Sequence, residues 1–221
     1  MASSPMVKAK TVSTLFYGGG KFLAGRQPSK SNMYSGIGGK IEPGEPPIAA
    51  AAREIFEELF GFHLHERFGY NIGLYRELLN SAIYIPKWEH VLCFISFDYF
   101  ETILARMKNF KSPFYEKFPT TIDEMIKNRK VKNTPELLAA RRHGAEVLDL
   151  IAVTEREMRR RRNEFTFVFE SDVMLWAGKS TLTHFPMSAA VNDLLRNRSG
   201  AAQTICVIDS RPSRILTSNK N

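Results

Sequence analysis

The stretch GGKIEPGEPPIAAAAREIFEELFG, residues 38–61, decides how this chain is read. Its second half has the composition of a helix. Pro46 and Pro47 suit a first turn, where a missing N–H costs little. Ile48–Phe60 is then rich in Ala, Glu, Leu and Arg, all good helix formers. Apolar residues at 48, 52, 55 and 59 recur at helical spacing and predict a buried face. Gly61 stands where a helix-ending glycine belongs. Glu54, Glu57 and Glu58 fall at i, i+3 and i+4, so the helix gathers three carboxylates opposite its apolar side. Carboxylates so crowded repel one another. A solvated Glu-rich surface is one outcome. The other is a set of ligands for hard divalent cations, Mg²⁺ or Mn²⁺, which prefer oxygen donors and share their remaining positions with substrate phosphates. Arg53 can turn back toward Glu45 and brace the loop against the helix, while the glycines allow close backbone approach.

The order Gly39, five residues, Glu45, seven residues, then Arg53-Glu54-Ile55-Phe56-Glu57-Glu58 resembles the signature of the Nudix hydrolases, with every polar position in register. Two positions depart from it. The closing glycine falls one place late, at Gly61, with Phe60 in its stead, and Ile37 stands where many relatives have proline. The late glycine predicts a helix one residue longer. The resemblance implies an α+β Nudix fold, a mixed β-sheet sandwiched between α-helices. It also implies a metal-dependent pyrophosphohydrolase that cleaves a phosphoanhydride in a nucleoside diphosphate linked to another group. By the same similarity Glu54, Glu57 and Glu58 bind the cations, Arg53 and Glu45 orient them, and Gly38 and Gly39 shape the loop. The general base is then Glu54, or a carboxylate from farther along, Glu101 or Glu146. Glu146 also reads as an ordinary residue at a strand edge.

Working outward, TVSTLFYGGGKFLA (11–24) predicts a hairpin around Gly18-Gly19-Gly20. Phe68–Leu74, Ile83–Ile85, His90–Tyr99 and Glu146–Val153 read as strands, 165–176 as extended, and 186–196 as a final helix. Thr154 with Glu157 forms a capping-box pattern. A single domain over 1–221 is expected. It carries a basic, helical insertion at 101–143, where Phe110, Phe114, Tyr115 and Phe118 cluster, and a polar tail at 197–221. His90 and Cys93 read as structural residues of a strand.

The chain has 221 residues and a formal charge of +8, with 43% apolar residues, which excludes disordered and fibrous classes. Two cysteines make no disulfide framework. The first ten residues lack the apolar run of a signal peptide, and no apolar stretch is long enough to span a bilayer. An intracellular, cytoplasmic protein without membrane contact is expected, a nuclear one staying open. The excess charge is local: residues 101–143 carry +5 and 154–163 carry +3. Arg159 to Arg162, and Lys127, Arg129, Lys130, Lys132, Arg141 and Arg142 in the insertion, suit solvated helix ends, RNA phosphates or a highly phosphorylated small molecule. Arg26, Trp88, Arg159 and Arg160 are the substrate-contact candidates. Phe16, Tyr84 and Trp88 can stack on a base, but aromatics in strands more often belong to a core. The substrate readings are a capped RNA 5′ end (mRNA decapping), a free nucleotide derivative such as ADP-ribose, and, behind these, an inositol pyrophosphate or a dinucleoside polyphosphate. A non-catalytic module binding nucleotides or RNA is the alternative from another class. Relatives resembling this chain are often dimeric, so a homodimer is compatible with it.

Overall fold

Thr11–Gly18 (β1) and Lys21–Gln27 (β2) form the predicted hairpin, with Gly19 and Gly20 at positive φ in the turn. The structure is a computed structural model that describes residues 9–62, 72–85, 88–130, 138–139, 146–177, 182–186 and 204–208. Residues 33–40 run extended as Met33–Ser35 (β3) and Ile37–Lys40 (β4), crossing from antiparallel pairing with β2 to antiparallel pairing with β1. On its other edge β1 pairs in parallel with His90–Ser96 (β6), and β6 pairs antiparallel with Ile83–Ile85 (β5). Leu150–Thr154 (β7) lies antiparallel to β2. Leu182–Pro186 (β8) and Thr204–Ile208 (β9) complete the mixed sheet, β9 pairing with β5. The expected tail beyond 197 therefore contributes a strand at 204–208.

Alternation along β1 feeds two cores. Val12 and Phe16 pack with Pro47–Phe60 (α1), Ile72–Ser81 (α2) and Phe97–Arg106 (α3) on one face. Leu15 and Tyr17 pack on the other face, toward Glu155–Arg160 (α5) and Phe167–Trp176 (α6). A mixed sheet between helices is the expected α+β Nudix architecture. The capping box at Thr154 and Glu157 is present.

Four sequence expectations are corrected. Residues 72–74 of the predicted strand Phe68–Leu74 begin a helix, because Leu74 and Leu78 at i, i+4 both reach the core. Its remainder lies outside the described residues, as does nearly all of the predicted helix 186–196. The strand from His90 stops at Ser96, which caps α3 by accepting the Tyr99 N–H at 3.2 Å. The strand expected at Glu146–Val153 starts only at Leu150. Residues 167–176 are helical rather than extended. Thr166 accepts the Phe169 N–H at 3.3 Å, and Phe169 and Val173 pack at i, i+4, overriding an aromatic and β-branched composition. Within 101–143 the end of α3, Ile122–Lys127 (α4) and residues 138–139 are helical, and the predicted aromatic cluster is packed on α1.

Candidate active site

The loop and helix of residues 38–61 close on one guanidinium. Arg53 is 7% exposed and uses all five of its N–H donors. Nε and Nη2 bond the two oxygens of Glu45 at 2.9 and 3.0 Å, and Nη2 also reaches the Lys40 carbonyl at 2.9 Å. Nη1 bonds Glu54 Oε1 at 2.8 Å and Glu57 Oε2 at 3.0 Å. Glu45 in turn accepts the Glu42 N–H at 3.0 Å, which folds the loop. The brace between Arg53 and Glu45 is as expected. Burial opposes charge on Arg53, but Glu45, Glu54 and Glu57 together hold its pKa above the ordinary value.

Glu54 lies directly over Gly39. A Cβ on Gly39 would fall 2.5 Å from Glu54 Oε1, and one on Gly38 would fall 2.1 Å from the Val12 carbonyl oxygen. Both glycines are therefore demanded by close approach. Gly61, at φ +70°, ends α1, its N–H bonding the Glu57 carbonyl, so the helix runs the one residue longer that the displaced glycine predicts.

The carboxylates are buried, which disposes of the solvated-face reading. Glu58, 3% exposed, accepts the Val147 N–H on Oε2 at 2.6 Å. Burial pushes its pKa up to about 8, the Val147 hydrogen bond opposing and Glu54 adding to the rise. Burial likewise pushes Glu54 up to about 7 against the pull of Arg53. Clustered, desolvated carboxylate oxygens fit the donor chemistry of a hard divalent cation. Their directions are another matter. Glu54 and Glu57 turn to Arg53 and Glu58 to Val147, and among the described residues no group of three or more His, Cys, Asp or Glu side chains is arranged to hold a metal ion.

The remaining candidates divide. Glu146 is exposed, precedes Val147 and lies within electrostatic reach of Glu58. Glu101 accepts the Ile122 N–H at 2.9 Å and belongs to the packing of α4. Arg26 is paired with Asp149. Trp88, on the surface, meets the edge of Phe167 at 6.1 Å, and Phe16 is core. Of the arginine run, Arg159 pairs with Glu155, Arg161 with Glu164 and Arg162 with Glu170, while Arg160 is exposed. His90 and Cys93 are buried as expected, with desolvation pushing His90 down to about 4 and Cys93 up.

Two residues escaped the sequence reading. Lys30 is exposed by area, yet desolvation of its ammonium pushes its pKa down against the pull of Glu58, Glu146, Glu54 and Asp172. A lysine in a polar loop carries no signal of this; the pairing of β2 with β3 brings it there. Arg129, read as part of a basic surface, is buried. Its partners are far apart in sequence, so no local pattern could show them.

The sheet between two helical layers thus carries the buried acidic face of α1. Residues 7–105 match the NUDIX domain family model. No curated protein matches the chain in sequence. Among solved structures it resembles a bifunctional NMN adenylyltransferase/ADP ribose pyrophosphatase from Francisella tularensis, complexed with AMP and a Mn ion. The identity is 12%, over 80% of this chain and 43% of that one, with a TM-score of 0.42. NUDIX hydrolases from Nitrosomonas europaea (15% identity, 77% and 72% coverage, TM-score 0.37) and Clostridium perfringens (17%, 76% and 98%, 0.34) are similar to it as well. The chain thus spans less than half the length of the bifunctional enzyme. Among the described residues no helix is long and apolar enough to cross a membrane.

Proposed function

We propose that the chain is a divalent-metal-dependent pyrophosphohydrolase whose substrate is a nucleoside diphosphate linked to another group. The observation that carries this is the burial of Glu54, Glu57 and Glu58 on one helix, the first two held by a fully engaged Arg53 and the third by the Val147 N–H. Those three carboxylates would hold Mg²⁺ or Mn²⁺. When bound, such an ion neutralises charge on the pyrophosphate and lowers the pKa of a water so that it can attack phosphorus. Arg53 and Glu45 fix the helix against the loop, and Gly39 lets Glu54 lie flat on β4. Glu146, exposed beside the Val147 amide that holds Glu58, is assigned to take the attacking water's proton.

The pairing of Arg159, Arg161 and Arg162 with acidic neighbours, and the burial of Arg129, favour a free nucleotide derivative over a capped RNA. Hydrolysis should be assayed with ADP-ribose, nucleoside triphosphates, dinucleoside polyphosphates, an inositol pyrophosphate and capped RNA at two salt concentrations, alongside Glu58→Gln. Turnover of a free nucleotide, insensitive to salt and lost in Glu58→Gln, is expected. A steep fall with salt on capped RNA alone would reinstate the RNA reading. Full activity in Glu58→Gln would remove the acidic face from the mechanism.

A further inference from the structure

The last turn of any α-helix leaves carbonyls without partners inside the helix. In α1 the Phe56 and Glu57 carbonyls are taken by the N–H groups of Phe62 and Gly61. The next three are taken by the segment at 101–143. Arg129 Nη2 bonds the Glu58 carbonyl at 2.6 Å, Arg129 Nη1 the Leu59 carbonyl at 2.8 Å, and Ser112 Oγ the Phe60 carbonyl at 2.7 Å. A cation there also complements the negative end of the helix dipole.

Arg129 does more than cap. Its Nη2 also bonds the Val147 carbonyl at 2.8 Å, and its Nε the Leu148 carbonyl at 3.3 Å. The fifth donor meets the Tyr115 hydroxyl at 3.1 Å, and the guanidinium stacks on Phe114, 4.2 Å from the ring centroid. Glu58 and Val147 are therefore joined twice: directly, from the Val147 N–H to Glu58 Oε2, and through Arg129, which holds both of their carbonyls.

We propose that Arg129 is a positioning residue for hydrolysis: by clamping Glu58 to Val147 it sets the direction of the Glu58 carboxylate and the placement of Glu146. This rests on the proposed pyrophosphohydrolase reading. The basic segment is then, at this point, a buttress of the acidic helix and not an arm for nucleic acid.

The test is Arg129→Lys, with Ser112→Ala as the control that removes a cap bond but leaves the Glu58–Val147 clamp. Lysine keeps a charge and three donors for the helix end but cannot span four carbonyls in a fixed fork. Circular dichroism should show both variants folded. In Arg129→Lys, kcat should fall by about 10–100-fold with KM nearly unchanged, the usual scale for groups that orient ligands. Its Val147 amide should shift in the NMR spectrum and Mn²⁺ should bind more weakly by electron paramagnetic resonance. Ser112→Ala should keep its kcat. Wild-type kcat in Arg129→Lys, or a loss matched by the unfolded fraction or by Ser112→Ala, overturns the proposal. If the wild type hydrolyses none of the substrates, the pyrophosphohydrolase reading fails. The Val147 amide and Mn²⁺ binding then decide the clamp, and unchanged values for both overturn it.

Discussion

The Phe60 ring stacks on Phe118, with centroids 5.0 Å apart and planes 24° from parallel. Phe60 occupies the position where the Nudix signature closes with glycine, and Phe118 belongs to the segment that the signature does not cover. Phe62, Phe100 and Tyr115 surround the same ring at 5.8, 6.4 and 6.2 Å. The departure from the signature and the aromatic residues of 110–118 thus belong to one packing arrangement: the Phe60 ring, in the glycine's place, packs against Tyr115 and Phe118.

Restoring the pattern should consequently be harmful. Phe60→Gly removes a wholly buried ring, for which truncation to alanine costs about 3–5 kcal/mol, and glycine adds a helix penalty of about 1 kcal/mol. Urea unfolding should show a loss of at least about 3 kcal/mol, with Phe60→Leu losing less. A Phe60→Gly variant as stable as the wild type would mean that the aromatic cluster holds nothing in place.

Arg53→Lys is expected to fail although it keeps the charge. All five donors of Arg53 are committed, and a lysine offers three from a single point. Breaking one member of a buried ionic cluster costs about 3–5 kcal/mol. Activity should drop about 10–100-fold as Glu54 and Glu57 lose their orientation. Thermal unfolding and steady-state kinetics on the same preparation check both. Unchanged kinetics in a folded Arg53→Lys would show that the guanidinium fork is dispensable.

The acidic helix was legible in the sequence because its determinants are local. Helical spacing placed Glu54, Glu57 and Glu58 together, Gly61 marked the end, and Arg53 lay eight residues from the Glu45 it braces. The hairpin and the capping box at Thr154 were legible for the same reason. What escaped depends on distant partners. Phe167–Trp176 looks extended until Phe169 and Val173 find the sheet face. Arg129 looks like surface charge until the Glu58 carbonyl, 71 residues away, is placed beside it. The arginine run misleads in a milder way, since Glu164 and Glu170 neutralise Arg161 and Arg162 across turns that periodicity does not describe.

Metal removal should separate activity from folding. The two apolar clusters hold the fold without any ion, and Arg53 and Val147 already satisfy the acidic residues in part. Chelation should abolish turnover, Mg²⁺ or Mn²⁺ should restore it, and the far-ultraviolet spectrum should not change. Unfolding on chelation would assign the ion a structural role instead.

The buried network on the other face of the sheet makes stability depend on pH. Ser13 Oγ donates to Asp172 Oδ2 at 3.0 Å and lies 2.9 Å from His90 Nε2, while Thr11 Oγ1 lies 2.8 Å from His90 Nδ1. Asp172 is 1% exposed, and its Oδ1 has no hydrogen-bond partner among the described residues. Burial pushes its pKa up to about 7, with Ser13 and Lys30 opposing. In the unfolded chain it returns to about 3.9. The folded state therefore binds the extra proton between these values. The contribution of Asp172 to stability is complete below about pH 4, is lost as pH rises toward 7, and is flat beyond. His90 works in the opposite sense. Burial and Lys30 depress it to about 4, so its contribution is complete above about pH 6.5 and is lost as pH falls toward 4. The two slopes partly cancel in the wild type. Asp172→Asn removes one of them. Relative to wild type, this variant should gain on the order of 1–4 kcal/mol between pH 4.5 and 8, read from urea midpoints at pH 4.5, 6.5 and 8. A constant offset between the two proteins at all three pH values would show that Asp172 does not titrate in this range.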